Sequence, residues 1–152
     1  MTIEIRRAKP EEAPTLTQIA HAAKQHWGYP ENWIEQWKQD LTITPDFIQK
    51  NEVFVAIVRD EIAGCCALVV TDSLAEIEHM WIKPEHMGSG LGRALFTHAR
   101  KRAADLKLKI LELSADPNAE EFYARMGAKR IGELPAAMDD NPRVLPRMRL
   151  EL

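Results

Sequence analysis

Three glycines lie where a predicted strand gives way to a predicted helix. Residues 75–82 read as a strand that Pro84 ends, and Gly88, Gly90 and Gly92 follow at once. The first N–H groups of the following helix have no partners, and the helix dipole favours negative charge there. Glycine also allows a close approach of backbone to ligand. The segment therefore predicts either a pyrophosphate site or an ordinary turn, because such motifs are weak without context.

Two common phosphate-binding motifs do not fit these glycines. A Walker A loop needs a Lys after its last Gly, and no Lys follows here. A dinucleotide fingerprint needs the spacing Gly-x-Gly-x-x-Gly near the first strand of its unit. Here the glycines are evenly spaced, and the strand before them belongs to a series of hairpins. The context that these two motifs require therefore disfavours both.

The elements that must position the turn follow from hydrophobic periodicity. Alternation predicts strands near residues 3–5, 53–57, 62–70, 75–82, 110–113, 128–133 and 148–152. Helical spacing predicts helices after Pro10, around Trp33, after Thr44, after the glycines and after Asp116. Residues 134–146, which are rich in proline, predict a loop. The pattern predicts an α/β layered fold, and the length of 152 residues predicts one domain over residues 1–152.

The composition excludes several classes of function. The net charge of −3 gives no bulk basicity for nucleic acid or for an anionic membrane. No stretch approaches the roughly 18 apolar residues of a membrane span. Neighbouring Cys65 and Cys66 should point to opposite faces of a strand, which disfavours a disulfide between them, and no ligand cluster suggests a metal. We therefore expect a cytoplasmic protein without a metal, a nucleic-acid partner or a membrane.

The ordered set of motifs resembles the GNAT superfamily of acetyl-CoA-dependent N-acetyltransferases. Residues 87–92, Met-Gly-Ser-Gly-Leu-Gly, stand where that family has Gln/Arg-x-x-Gly-x-Gly/Ala, with Met87 as the departure. A second block pairs Asn118 with Tyr123, and residues 3–8 resemble the opening strand. The resemblance covers nearly the whole chain. It implies a mixed, mostly antiparallel sheet of six or seven strands, with helices on both faces and a splay between the fourth and fifth strands.

The resemblance also implies how the co-substrate, acetyl-CoA, is held. The backbone of Met80 and Ile82 would bind the pantetheine arm, and Asn118 would hydrogen-bond it. Tyr123 would lie near the thioester sulfur. The amides implied to bind the pyrophosphate are those of Gly88, Ser89, Gly90, Leu91, Gly92 and Arg93, with Met87 at the first position of the signature.

Acetyl transfer to an amine needs a neutral nitrogen, and neutralising a lysine-like amine at pH 7 costs about 4–5 kcal/mol. A general base offsets part of this cost. Glu76 and Glu78 are expected to share a strand face, and the resemblance ranks Glu76 first, with either acting directly or through a water. A strand N–H near Met80 is the predicted oxyanion donor, and Tyr123 is the predicted acid. Solvated edge charges and a core tyrosine fit the same residues.

An aromatic segment follows the first helix, and in the superfamily this region overlies the acceptor. His26, Trp27, Tyr29 and Trp33 are therefore predicted to bind the acceptor amine. Trp33 fits core packing as well.

The predicted function is transfer of an acetyl group from acetyl-CoA to a primary amine of a small molecule, by direct attack in a ternary complex. Two alternatives stay open at this point. One is a protein or peptide N-acetyltransferase, which would need an open acceptor groove. The other is a non-enzymatic CoA-binding regulatory domain, for which the departure at Met87 leaves room. A homodimer through edge strands is a further expectation.

Overall fold

A seven-stranded sheet organises the chain, and the computed structural model describes residues 2–152 of it. The strands are β1 (Glu4–Arg7), β2 (Glu52–Val58), β3 (Glu61–Thr71), β4 (Leu74–Ile82), β5 (Ile110–Ser114), β6 (Lys129–Pro135) and β7 (Val144–Glu151). The helices are α1 (Ala13–His26), α2 (Glu31–Gln36), α3 (Lys38–Leu41), α4 (Pro45–Lys50), α5 (Leu91–Asp105) and α6 (Glu120–Arg125). Short 3-10 turns cover Pro10–Glu12, Pro84–His86 and Pro117–Ala119.

The strand order is β1-β2-β3-β4-β5-β7-β6, and neighbours are antiparallel except β4 and β5. The parallel β4–β5 pairing runs from Leu74 opposite Ile110 to Ile77 opposite Leu113 and stops there. Because β4 continues to Ile82, its last residues have no partner on the β5 side. The mixed sheet with its splay between the fourth and fifth strands is confirmed.

Helices cover both faces of the sheet, as expected. One face packs against α5, whose stripe includes the fully buried Leu95 and Phe96. The other face packs against α1 and α4. Cys65 and Cys66 lie on these two opposite faces, and both are buried thiols without a disulfide. Their separation confirms the alternation of the central strand β3.

A bulge interrupts β4 where the splay begins. Ala67 of β3 lies opposite His79, but the next residue, Leu68, lies opposite Ile77, so Glu78 has no partner on β3. An extra residue of this kind reverses the alternation of faces beyond it. Ile77 and Met80 therefore pack on the same face, although they are three residues apart.

Two stretches differ from the sequence prediction. The helix expected around Trp33 is divided at Trp37 into α2 and α3. The loop expected over residues 134–146 is shorter, because β6 extends to Pro135 and β7 begins at Val144. Pro135 is tolerated because β6 is an edge strand, where a missing N–H breaks no central ladder. Within residues 2–152, no helix is long and apolar enough to cross a membrane.

Candidate active site

The splay opens into a cleft of about 910 Å³. Its walls are the end of β4, the glycine turn, the inner side of α5 and the segment from the end of β5 through α6. A narrow cleft between diverging strands exposes backbone polar groups that a fully paired sheet would consume. The site therefore combines apolar walls with backbone donors and acceptors.

The backbone of β4 presents its unpaired groups to this cleft. The N–H of Lys83 donates to the carbonyl of Ala63 at 2.9 Å, which fixes the hydrogen-bonded pairs of the β3–β4 ladder. In an antiparallel ladder such pairs alternate. The pairs at Met80 and Ile82 are consequently the non-bonded ones, and their N–H and C=O groups point away from β3. Both residues line the cleft, so they can bind an extended ligand as a further strand would.

The glycine turn is built for backbone exposure. Gly88 and Gly90 have φ values of 78° and 89°, which residues other than glycine rarely adopt. A Cβ at either position would meet no atom within 4 Å, and the N–H groups of Gly88 and Gly90 donate to no backbone acceptor in the described part of the chain. The N–H of Ser89 differs, because it donates to the carbonyl of His86 at 3.3 Å. Ser89 also donates its hydroxyl to that carbonyl, so this residue braces the turn.

The first turn of α5 completes the row of donors. The first helical bond is that of Ala94 to the carbonyl of Gly90, at 3.0 Å. The amides of Leu91, Gly92 and Arg93 donate to no acceptor within residues 2–152. Gly92 has a packing role as well, since a Cβ there would lie 3.3 Å from the Phe122 ring. A pyrophosphate fits this arrangement of unpaired amides at a helix N-terminus.

Of the two predicted bases, only Glu78 lines the cleft. Its side chain leaves the bulge of β4 at the mouth of the splay. Desolvation raises the pKa of the Glu78 carboxyl, repulsion from Glu76 raises it further, and Arg147 lowers it to a smaller extent. The net shift is upward, so this carboxylate is a better proton acceptor than an ordinary glutamate.

Glu76 lies in an ion-pair network instead. Both its oxygens accept from the guanidinium of Arg147, the second at 3.2 Å. Arg147 also donates to Glu112 at 2.9 Å and to the hydroxyl of Ser114 at 2.9 Å. Arg149 binds the other oxygen of Glu112 at 2.6 Å. A carboxylate held on both oxygens by one guanidinium is poorly placed to take a proton from a substrate.

Tyr123 is buried at the inner end of the cleft. Its ring packs against Phe122, with centroids 5.0 Å apart, and against Phe96 at 6.0 Å. Burial raises the pKa of its hydroxyl, with further contributions from Cys66 and Asp116. The phenol consequently stays protonated at neutral pH and can donate a proton or a hydrogen bond.

Asn118 also lines the cleft, but the nitrogen of its side-chain amide is already hydrogen-bonded within the protein. Its Nδ2 donates to Asp116 Oδ1 at 2.9 Å and to the Tyr29 hydroxyl at 3.0 Å. His79, between the two candidate bases in sequence, is buried and accepts a hydrogen bond from Trp81 Nε1 at 2.9 Å. Burial lowers the pKa of His79 to about 4, so it is neutral near pH 7.

The four predicted acceptor residues form two ring pairs, His26 with Trp27 and Tyr29 with Trp33, and only one of the four lines the cleft. Trp27 is 41% exposed and lines the cleft, whereas His26 is exposed and does not. Tyr29 and Trp33 stack on each other with centroids 6.0 Å apart, and neither lines the cleft. The aromatic segment thus contributes one side chain to the cleft and packs two others behind it.

Several residues that line the cleft were not predicted from the sequence. Arg100 and Arg125 line the cleft with Arg93 and add positive charge near the donor row. The spacing of Arg93 and Arg100, two helical turns, was the available signal. Ser114 is the last residue of β5 and Asp116 lies two residues beyond it, and both line the cleft. Within residues 2–152, no three His, Cys, Asp or Glu side chains are grouped so that they could hold a metal ion.

Comparisons with known proteins show which class of protein has this fold. The chain aligns along its full length with a PaiA N-acetyltransferase from Thermoplasma acidophilum solved with coenzyme A, at 22% identity and a TM-score of 0.80, covering 100% of both chains. A GCN5-related N-acetyltransferase from Rhodopseudomonas palustris gives 20% identity and a TM-score of 0.85, with coverage of 100% and 97%. The ribosomal-protein-S18-alanine N-acetyltransferase from Escherichia coli gives 17% identity and a TM-score of 0.77. The alignment covers 99% of this chain and 94% of that chain. The fold is that of acetyltransferases.

The acetyltransferase (GNAT) domain family matches residues 49–127, which hold the core strands, the glycine turn and both candidate cofactor-binding motifs. The chain belongs to this family. It is accordingly an acetyltransferase that uses acetyl-CoA as its acetyl donor.

Proposed function

We propose that this chain transfers the acetyl group of acetyl-CoA to a primary amine of a small molecule, with Glu78 as the general base. The observation that carries the proposal is the position of Glu78, a carboxylate of raised pKa at the mouth of the β4–β5 cleft. Glu76, held by Arg147, takes a supporting electrostatic role instead.

The binding of acetyl-CoA is proposed to follow the exposed backbone. The amides of residues 88 and 90–93 would bind the pyrophosphate, with Arg93 adding charge. Ser89 would brace the turn and Met87 would lie beside it. The pantetheine arm would extend along β4 and bond the backbone of Met80 and Ile82. Asn118 would contact the arm from the opposite wall.

The chemistry proceeds by direct attack. The amine nitrogen bonds to the thioester carbonyl carbon while its proton passes to Glu78, directly or through one water. The carbonyl oxygen becomes an oxyanion that the Met80 N–H can stabilise. The carbon–sulfur bond then breaks, and Tyr123 gives a proton to the departing thiolate. The products are the acetylated amine and CoA.

The acceptor side supports a small amine rather than a peptide. Trp27 offers an aromatic face to the same cleft as Glu78, a combination suited to a cation that must lose a proton. The β6–β7 connection, residues 136–143, is bonded to α2, because Asp139 accepts from Asn32 at 2.6 Å and from Gln36 at 3.2 Å. In the proposed complex this connection would form an outer wall of the acceptor site, where a peptide acetyltransferase would need an open groove.

A homodimer is proposed only as an addition to this activity. Strand β6 forms one edge of the sheet, and all of its residues are exposed, with Ile131 at 48% and Leu134 at 46%. An exposed apolar edge favours pairing with a second strand. Sedimentation of the wild-type chain and of Ile131→Lys tests this addition: a dimer that the substitution converts to monomer is expected, and a wild-type monomer would contradict it.

The proposed activity is tested by release of CoA thiol on mixing acetyl-CoA with amino acids, polyamines, aminoglycosides and peptides in turn. Saturable release with at least one small amine is expected. Release with peptides alone would favour a protein acetyltransferase. CoA binding without release for any amine would favour a regulatory domain.

A further inference from the structure

Asp116 and Asn118 form a bonded unit at the cleft wall opposite β4. Asp116 Oδ1 accepts from the backbone N–H of Asn118 at 2.9 Å and from its Nδ2 at 2.9 Å. The carboxylate thus caps the 3-10 turn Pro117–Ala119 and fixes the side chain of the residue two positions on. Both residues line the cleft.

The hydrogen-bond count of Asn118 leaves one group available. A carboxamide has two N–H donors and one carbonyl acceptor. The donors are used by Asp116 Oδ1 and by the Tyr29 hydroxyl at 3.0 Å. What remains is the carbonyl Oδ1, so Asn118 can only accept a hydrogen bond from a ligand that leaves these contacts intact.

The Tyr29 hydroxyl is equally committed. It lies 3.0 Å from both oxygens of Asp116, to which its single proton goes. Its lone pairs accept from Asn118 Nδ2 and from Arg143 Nη2 at 3.1 Å. Tyr29 is thereby tied to the wall of the cleft without lining it.

Lys24 holds the other end of the carboxylate. Its Nζ lies 2.6 Å from Asp116 Oδ2, with both side chains nearly buried. Burial alone would raise the pKa of Asp116, but Lys24, Asn118 and Tyr29 together lower it, so the carboxylate is ionised. The cluster is therefore fully paired, with fixed donors and acceptors.

We propose that Tyr29 and Asp116, anchored by Lys24, are positioning residues that fix the orientation of Asn118, so that its carbonyl oxygen accepts an N–H of the acetyl-CoA arm. The inference rests on the proposed function, in which Asn118 contacts that arm. It assigns Tyr29 to the acetyl-CoA side of the reaction, although the sequence predicted an acceptor-binding role. The loop after α1 thereby supports co-substrate binding through one side chain.

The test is a double-mutant cycle on CoA affinity, measured by calorimetry with CoA as the probe. Tyr29→Phe keeps the ring and removes only the hydroxyl, and we expect it to weaken CoA binding about 2- to 12-fold, the worth of one hydrogen bond. Asn118→Ala should weaken binding at least as much. In the Asn118→Ala background, Tyr29→Phe should have almost no further effect.

Controls separate positioning from general damage. Arg143→Gln perturbs the same cluster but leaves both Asn118 donors paired, so CoA affinity should change less than about two-fold. In steady-state assays, Tyr29→Phe should raise the KM for acetyl-CoA and leave the KM for the acceptor unchanged. If Tyr29→Phe does not fold, as judged by thermal unfolding, Asp116→Asn takes its place in the same cycle.

Three results would overturn the inference. They are additive effects of Tyr29→Phe and Asn118→Ala, wild-type CoA affinity in Asn118→Ala, or a rise confined to the acceptor KM in Tyr29→Phe. Each of these leaves CoA binding by the wild type and acetyl transfer intact. Failure of the proposed function is different, since it would appear as a wild-type chain that releases no thiol.

Discussion

At the scale of single residues, Glu78 lines the cleft, whereas both oxygens of Glu76 accept hydrogen bonds from Arg147. Tyr123 and the backbone of Met80 fall at the cleft because they lie in motifs whose order along the chain is readable. The choice between Glu76 and Glu78 was not readable, because alternation puts both on one face. A single extra residue in β4 separates their environments, and a bulge leaves no clear mark in the pattern of apolar residues.

Substituting the two glutamates separately distinguishes their roles. We expect Glu78→Gln to lower kcat/KM at least about 100-fold, the usual worth of a general base. Glu76→Gln should keep most activity. It also removes a neighbouring negative charge that raises the pKa of Glu78, so the acidic limb of its kcat/KM profile should move to lower pH. Loss of activity in Glu76→Gln with normal activity in Glu78→Gln would reverse the assignment.

Removing the Tyr123 hydroxyl tests the proposed acid. Because burial raises its pKa, the phenol is protonated at neutral pH and stays so into the alkaline range. Tyr123→Phe should therefore lower kcat about 100-fold while the KM for acetyl-CoA changes less than two-fold. The ring packing with Phe96 and Phe122 is retained, so the melting temperature serves as the control. Equal turnover in this variant would remove Tyr123 from the mechanism.

At the scale of elements, the cleft exists because β4 continues beyond the end of its pairing with the parallel strand β5. The glycine turn was predictable, since three glycines before an amphipathic stripe are visible in the sequence. The different roles of the three glycines were not predictable. Gly88 and Gly90 adopt positive φ and expose amides, whereas Gly92 allows Phe122 to pack against α5. The task of Gly92 depends on Phe122 of α6, which is distant in sequence.

A charge at Gly90 tests the donor row. Gly90→Glu imposes a side chain on a φ of 89° and places a carboxylate where the pyrophosphate is proposed to bind. We expect CoA affinity measured by calorimetry to fall at least 100-fold. Gly90→Asn is the matched control, because Asn tolerates positive φ and is neutral. Its CoA affinity should fall less than ten-fold. Similar affinities in the two variants would place the pyrophosphate elsewhere.

At the scale of the whole molecule, distant segments converge on the cleft. The aromatic segment was predicted to hold the acceptor, but most of it packs behind Asp116 and beside the β6–β7 connection. The sequence could not show this, because Asp139 and Arg143 lie over 100 residues from their partners Asn32 and Tyr29. The proline-rich segment is thus joined to α2 and to Tyr29 through side-chain bonds that have no periodicity.

Releasing this connection should affect the acceptor alone. Asp139→Ala removes two hydrogen bonds to α2, each worth about 0.5–1.5 kcal/mol. We expect the acceptor KM to rise about 3- to 10-fold, with the KM for acetyl-CoA unchanged. Asp140→Ala is the matched control, because Asp140 is exposed and shares the positive φ of its neighbour. Equal effects of the two substitutions would show that the bonds to α2 do not shape the acceptor site.

The most direct test of the account is a crystal structure of the chain with acetyl-CoA bound. We predict the pyrophosphate against the amides of residues 88 and 90–93, the pantetheine arm between β4 and β5, and the thioester carbonyl near the Met80 N–H with Glu78 on the acceptor side. Density for acetyl-CoA outside the β4–β5 cleft, or a thioester remote from both Glu78 and Tyr123, would contradict it.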